Sequence, residues 1–324
     1  MRAPAFWQKK KSWQSCLFKP LGAIYAFMTA RRLRRTKPQD VGVPVICVGN
    51  IGVGGTGKTP VCLALGKLLE KAGVSFFFLN HGYGAKVQNV IVQNGVHTAV
   101  DVGDEALLLA AKAPTVVDRK RTRGAVAAVA SGAKALIMDD GFQNPSLKKD
   151  ISFVVIDGAK GLGNECVLPA GPLREPALIG LQRATAVIIV GKDTWGVRSW
   201  LEQHNITIPI LTGIFLPDID VLASLQGQEV IAFAGIGHPD KFFDMLSHAG
   251  VIVKQKQSFP DHYFYTRFDI EQLLSEAKGR PLVTTEKDFV KIPKDLQKQV
   301  IMVGGAFQFE EEETVIKMIQ GVMS

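Results

Sequence analysis

Gly52-Val53-Gly54-Gly55-Thr56-Gly57-Lys58-Thr59 places glycines, a lysine and a threonine at the spacing G-x-x-x-x-G-K-[ST]. That pattern does one kind of chemistry. Gly52, Gly54, Gly55 and Gly57, with Thr56 between them, let backbone N–H groups converge on phosphate oxygens. The Lys58 ammonium can then span the β and γ phosphates, and the Thr59 hydroxyl can ligate Mg²⁺. A nucleoside triphosphate is the expected ligand. A Gly-rich turn alone would be commonplace, so its flanks matter. Val43-Pro44-Val45-Ile46-Cys47-Val48 reads as a buried parallel strand, and Val61 to Leu69 as a helix whose N-terminal dipole faces the phosphates.

A second acidic feature suits the same ligand. Asp139 and Asp140 follow the apolar run Ala135-Leu136-Ile137-Met138, where one carboxylate of such a pair can hold Mg²⁺ directly or through water. In isolation they would be two solvated turn acids. Behind a phosphate loop they become candidate metal residues together with Thr59.

Alternating strand and helix signals position these groups. Strands are expected at 75–79, 134–138, 151–157 and 186–191, with a helix over 104–113. Repeated βα units predict a parallel sheet covered by helices, an α/β fold of the P-loop NTPase kind. The apolar pattern weakens around Pro217, Asp218 and Asp220, and a new series begins at Glu229-Val230-Ile231-Ala232-Phe233-Ala234. It continues with helices near 239–249 and 269–277, strands at 251–253, 281–284 and 300–303, and a terminal helix. The division is therefore an arm over 1–37, a P-loop domain over 38–212, a linker over 213–228 and a second, smaller α/β domain over 229–324.

The charge is unevenly placed along the 324 residues. Of 38 lysines and arginines, ten lie in the first 37 residues with no acid among them, leaving 28 against 30 acidic residues in the body. Between the basic clusters, Leu21, Ile24, Tyr25 and Met28 recur at helical spacing, with Pro20 suited to a first helical turn. The uncharged stretch Pro20 to Ala30 is 11 residues long, whereas a span needs about 20. This amphipathic arm is expected to lie in a membrane surface without crossing it. No small-residue cleavage site precedes the arginines, so the arm is expected to stay on the chain. A nucleic-acid-binding arm and a helix packed on the body are the alternatives. The four cysteines form no C-x-x-C pair and read as reduced packing residues.

From Pro44 onward the sequence resembles the tetraacyldisaccharide 4′-kinases of lipid A biosynthesis. The resemblance rests on Val48-Gly49-Asn50 before the loop, Gly103-Asp104-Glu105, Asp139-Asp140-Gly141-Phe142-Gln143 and Leu168-Pro169-Ala170-Gly171-Pro172-Leu173-Arg174-Glu175-Pro176. Gly235-Ile236-Gly237, Phe259-Pro260-Asp261-His262-Tyr263 and Thr285-Glu286-Lys287-Asp288 complete it. It implies transfer of the ATP γ-phosphate to the 4′-hydroxyl of an acylated glucosamine disaccharide 1-phosphate, with ATP and Mg²⁺ as cofactors. It also implies a membrane-embedded acceptor at the cytoplasmic face of the inner membrane. A monomer with no nucleic-acid partner is expected. The resemblance pairs Asp104 as base with His262, beside Lys58 of the loop. Alone, Asp104 is an ordinary first-turn acid and His262 a turn cap. Arg174, Asp261 and Gln143 are expected on the substrate side, while Arg119, Arg121 and Arg123 read as a solvated face.

Two stretches depart from the family's pattern. Its S-R-G-Y-G-R reads Asn80-His81-Gly82-Tyr83-Gly84-Ala85 here, without either arginine, and Asn144 follows Gln143 where the family has histidine. The rival reading from another class is a membrane-attached nucleotide switch. A guanine reader [NT]-K-x-D is not matched, since Lys287 comes one place late in Thr285-Glu286-Lys287-Asp288, and Val53 and Gly54 supply no partitioning-type lysine. A DNA-binding protein recruited by the arm would leave the 168–176 and 259–263 segments without a purpose.

Overall fold

The Ser12 hydroxyl accepts from the Ser15 amide at 3.0 Å and so starts the first long helix, α1 (Trp13–Arg35). Pro20 therefore sits inside α1 and not in its first turn. The structure, a computed structural model, describes residues 4–323; Arg2 of the basic arm lies outside the described residues, as does Ser324. One face of α1, carrying Ser15, Gly22 and Thr29, is buried, seven residues separating each from the next. The Asn164 amide donates to the Ser15 hydroxyl at 2.8 Å, and a Cβ on Gly22 would stand 3.0 Å from the Val167 carbonyl oxygen. Trp13, Leu17, Leu21, Ile24, Phe27 and Met28 are exposed. At 100° per residue most of them fall opposite the buried face. Among the described residues no helix is long and apolar enough to cross a membrane.

The chain then runs through β1 (Val45–Gly49), α2 (Lys58–Lys71), β2 (Phe76–Asn80), β3 (Val90–Ile91), α3 (Ala99–Val102), α4 (Asp104–Ala110), β4 (Thr115–Val117), α5 (Arg121–Ala130) and β5 (Ala135–Asp139). It continues with β6 (Ile151–Asp157), α6 (Ala177–Leu181), β7 (Ala186–Val190), α7 (Val197–Gln203), β8 (Ile210–Pro217) and α8 (Ile219–Leu225). A second series follows: β9 (Glu229–Ala234), α9 (Pro239–His248), β10 (Ile252–Ser258), α10 (Arg267–Ala277), β11 (Leu282–Thr285), α11 (Glu286–Phe289), α12 (Lys294–Gln297) and β12 (Val300–Val303). The chain closes with β13 (Gly305–Phe309) and α13 (Glu312–Met323).

Two sheets result, the α/β architecture expected. The larger has the order β13-β8-β7-β6-β1-β5-β2-β4-β3, parallel except at its antiparallel edges β13 and β3. The smaller, β10-β9-β11-β12, is wholly parallel. Alternation along β1 sends Val45 and Cys47 into a core beneath α5, α6 and α7, while Ile46 and Val48 pack on the other side with α2. β1 lies at the middle of the sheet, and its register pairs Val48 with Asp139. The carboxyl ends of β1 and β5 thus bring the phosphate loop and the acidic pair together, the edge where open α/β sheets bind ligands.

The domain boundaries differ from those expected. Residues 213–217 continue β8 and pair with β13, from Gly213 opposite Phe309 to Pro217 opposite Gly305. Asp218 caps α8 by accepting from the Val221 amide. The chain after β12 returns to the first sheet, where Phe307, Phe309, Val315 and Ile319 join the core around α2. Burial of each of these side chains contributes about 1.5–3 kcal/mol, which holds α13 to the P-loop domain and not to the second one. The smaller domain is therefore an insertion between β8 and β13, connected by two adjacent strands.

Candidate active site

Gly57 occupies the left-handed region, φ 89°, and ends the phosphate loop at α2, whose first turn has no side-chain cap among the described residues. Its unpaired N–H groups are the donors that an anion at a helix N-terminus requires. A second loop braces the first. The Val53 amide donates to the Pro172 carbonyl at 2.8 Å, and the Arg174 amide to the Ile51 carbonyl at 2.8 Å. The 168–176 motif is thus a wall of the phosphate site.

The two neighbouring aspartates have different surroundings. Asp139 is buried at the end of β5, and its Oδ2 accepts from the Thr59 hydroxyl at 3.2 Å and the Asn80 amide at 3.3 Å. Its Oδ1 is buried with no hydrogen-bond partner among the described residues. Burial first, then the nearby Glu105 charge, pushes its carboxyl up to about 6. An unmatched carboxylate oxygen beside a P-loop hydroxyl fits a divalent cation. Asp140 turns away in the left-handed region, φ 48°. Burial opposes its ionisation, but Lys58 at 3.8 Å and Arg174 at 3.0 Å hold it below the usual carboxylate range. Thr59 and Asp139 are therefore the residues that could hold a divalent cation, whereas Asp140 is held by two cations.

Gln143 stands between the Asn50 carbonyl, to which it donates at 2.7 Å, and Glu175, and its Oε1 accepts from Arg174 at 3.4 Å. It orients Arg174 from behind. Arg121 departs from the expected solvated face. It is 2% exposed and donates to the carbonyls of Leu79 (2.8 Å) and Asp139 (2.6 Å), tying the ends of β2 and β5. Arg119 and Arg123 are exposed, the latter paired with Asp118. Among the departures from the family pattern, Asn80 holds Asp139, His81 is exposed and Ala85 is buried against the α3–α4 cluster.

Asp104 begins α4 directly after Gly103, whose φ of 91° and close Tyr83 carbonyl, 3.1 Å from a built Cβ, admit no side chain. Asp104 is 6% exposed, with Oδ1 accepting the Glu105 amide at 2.9 Å and Oδ2 lying 2.9 Å from His262 Nδ1. His262 comes from the other domain, on a turn where its own φ is 59° and its amide donates to the Gly235 carbonyl at 3.2 Å. Left-handed non-glycine residues are uncommon, and both Asp140 and His262 stand at this site. Burial resists ionisation of Asp104. The His262 hydrogen bond and the Lys287 charge nevertheless bring its carboxyl down to about 2. The same hydrogen bond raises His262 above its ordinary value. Asp261 lies 3.9 Å from His262 Nε2, on the solvent side.

A cavity of about 700 Å³ separates the two domains, lined by Gly55 to Thr59, Phe76, Glu105, Phe242 and Lys287 among others. That volume suits a nucleotide-sized ligand. Asn80, Glu105, Arg121 and Lys287 were not picked out by spacing. Glu105 and Lys287 lie inside family motifs and Asn80 inside a stretch that departs from one, whereas Arg121 carried no signal in the sequence.

The comparisons with known proteins agree with one another. The LpxK family profile, described as tetraacyldisaccharide-1-P 4′-kinase, matches residues 14–324. The tetraacyldisaccharide 4′-kinases of Paramagnetospirillum magneticum and Rhodospirillum rubrum are 48% and 45% identical to the chain, each over 96% of it and 95% of the relative. A crystal structure of the "apo" form of LpxK from Aquifex aeolicus in complex with ATP is 28% identical, with a TM-score of 0.75 over 96% of this chain and 99% of that one. On a profile spanning residues 14–324 and relatives 45–48% identical over 95% of their length, the chain belongs to the tetraacyldisaccharide 4′-kinase family.

Proposed function

We infer that this protein transfers the γ-phosphoryl group of ATP to the 4′-hydroxyl of a tetraacylated glucosamine disaccharide 1-phosphate. The observation that carries this reading is the Asp104–His262 pair, 2.9 Å apart between the two domains and next to Glu105 and Lys287, which line one cavity with the phosphate loop. A nucleotide switch has no use for a buried carboxylate oriented by histidine on the acceptor side. A kinase does. The acceptor hydroxyl oxygen forms a bond to the γ-phosphorus, the bond to the β,γ-bridging oxygen breaks, and Asp104 takes the hydroxyl proton as ADP leaves. His262 orients the carboxylate, and Lys58 meets the β and γ phosphates. Thr59 and Asp139 would hold Mg²⁺, which supplies charge neutralisation along the phosphates. Arg174, fixed by Asp140 and Gln143, presents a guanidinium toward the phosphate side.

Purified protein incubated with ATP, Mg²⁺ and a tetraacyl disaccharide 1-phosphate in detergent should add one phosphate to the lipid, read as a mass increase. ATP hydrolysis with an unchanged lipid would favour the switch.

The arm gives the same reading a place to act, the cytoplasmic face of the inner membrane, with the chain as a monomer. Its buried face keeps α1 on the body, and its exposed apolar face is flanked by cations, each worth roughly 1 kcal/mol near an anionic leaflet. Leu21→Glu with Ile24→Glu and Met28→Glu leaves the packed face intact. It should release most of the protein from anionic vesicles and slow turnover on vesicle-embedded lipid more than on detergent-dispersed lipid. Co-sedimentation equal to wild type would remove the membrane role.

A further inference from the structure

Thr285 ends β11, and its hydroxyl accepts from the Asp288 amide at 3.1 Å, closing the single turn of α11. One turn is too short to hold itself in water. A buried network holds it instead. The Asp288 carboxylate is fully buried and accepts from the Gly235 amide (3.0 Å), the Tyr265 hydroxyl (3.0 Å), the Thr285 hydroxyl (2.7 Å) and the Lys291 ammonium (2.8 Å), itself buried. Gly235 is also the residue whose carbonyl receives the His262 amide. The network therefore fixes α11 and the His262 turn as one piece.

From that fixed turn two side chains cross the cleft, Lys287 to the start of α4 and Glu286 to the turn that follows α4. Glu286 stands 3.8 Å from Lys112, and Lys287 Nζ stands 3.8 Å from both Asp104 Oδ2 and Glu105 Oε1. Lys287 thus shares with His262 the same oxygen of Asp104. It also lines the cavity that holds the phosphate loop. A base that takes a proton from a hydroxyl attacking the γ-phosphorus must lie within one hydroxyl group of that phosphorus. A cation at this place is adjacent to the reacting atoms.

We propose that Lys287 is a positioning residue for phosphoryl transfer, a cation delivered by the second domain that, with His262, fixes the Asp104 carboxylate toward the acceptor hydroxyl. The proposal rests on the kinase reading. The ammonium attracts the carboxylate from one side while the imidazole binds it from another, so the carboxylate has one orientation left. The coupling is also interdomain. The base is aligned only when α11 is docked on α4, which ties proton removal to a closed cleft.

Lys287→Met keeps the stem and removes the charge; Lys287→Arg restores it. Loss of alignment by an ångström can cost about 10²-fold in turnover. The Met variant should lose turnover on that scale with KM for ATP little changed, and the Arg variant should recover much of it. Among the described residues, the groups that face Asp104 and His262 are each other, Glu105, Lys287, Lys291, Asp261 and Tyr83, whose ring lies 6.1 Å from that of His262. Removing Lys287 removes a cation that lowers both Asp104 and His262. The acid limb of kcat should consequently move to higher pH in Lys287→Met, and the His262 imidazole should titrate at higher pH by NMR. Turnover within twofold of wild type overturns the proposal. So does a loss of turnover that arginine fails to rescue and that leaves the pH limb and the imidazole titration where they were, since that is mere structural damage. A wild-type protein inactive on the lipid refutes the kinase reading instead. In that event the imidazole titration still reports whether Lys287 acts on the pair.

Discussion

Asp104→Asn should lower turnover by roughly 10²–10⁴-fold, the usual contribution of a positioned proton acceptor, while ATP affinity stays near that of wild type. The amide keeps the shape of the carboxylate and keeps an oxygen for the Glu105 amide, so the start of α4 is preserved. It cannot take the proton. His262→Ala should cost as much or less, because it removes the orienting hydrogen bond at 2.9 Å but leaves Asp104 ionised, its carboxyl held down also by Lys287. If, as proposed, the two groups act as a unit, the double variant should be little worse than the worse single one. Measured in single turnovers with ATP in excess, near-normal rates for Asp104→Asn would end the assignment. A strictly multiplicative double variant would mean that the two residues act separately.

What the sequence revealed and what it hid divide along the range of the interactions. The phosphate loop, β1 before it and α2 after it are local: apolar runs of period two or 3.6 and glycine chemistry lie within about thirty residues. The acidic pair at the end of β5 was legible for the same reason. The 213–228 stretch was not. Its strand partner lies some ninety residues further on, and β8 there carries the exposed Ile214, Phe215 and Leu216, which spoil the burial pattern of a core strand. Pro217 and Asp218 read as breakers, though the latter is a helix cap. The insertion of the second domain was hidden for the same reason, because only the β8–β13 pairing shows that the chain returns.

At the site the same division holds. Arg121 has no periodic signature that separates it from Arg119 and Arg123, and its burial depends on carbonyls at the ends of two other strands. Asp104 and His262 stand 158 residues apart in the chain and in different domains. No spacing argument joins them; the resemblance to a family did. Lys287 was quoted as part of a motif without a role, and the cross-cleft geometry supplies its candidate role. Chemistry carried by a single loop is legible in sequence. Chemistry assembled between domains requires the fold.

Lys58→Ala is expected to abolish detectable lipid phosphorylation, a loss of several orders of magnitude. Lys58 is the first residue of α2, largely buried, and its ammonium stands 3.8 Å from Asp140. Asp140 is gripped by Arg174, which in turn is backed by Gln143, so the lysine is aimed by a chain of three fixed side chains. In the proposed reaction the ammonium would face the oxygens of the β and γ phosphates, where negative charge develops as the bridging bond breaks. Alanine removes the whole charge and shortens the side chain to its Cβ, and neither water nor Arg174 can occupy the same point with the same orientation. Removal of one preorganised donor costs about 10²–10³-fold in comparable sites, and a full cation on a multiply charged phosphate should cost more. Lys58→Arg should recover little, because a planar fork does not replace a compact ammonium in a loop built to fit it. The measurement is lipid product mass against time at saturating ATP, with nucleotide binding followed separately. Turnover above a tenth of wild type in Lys58→Ala would show that this loop binds nucleotide without driving the transfer.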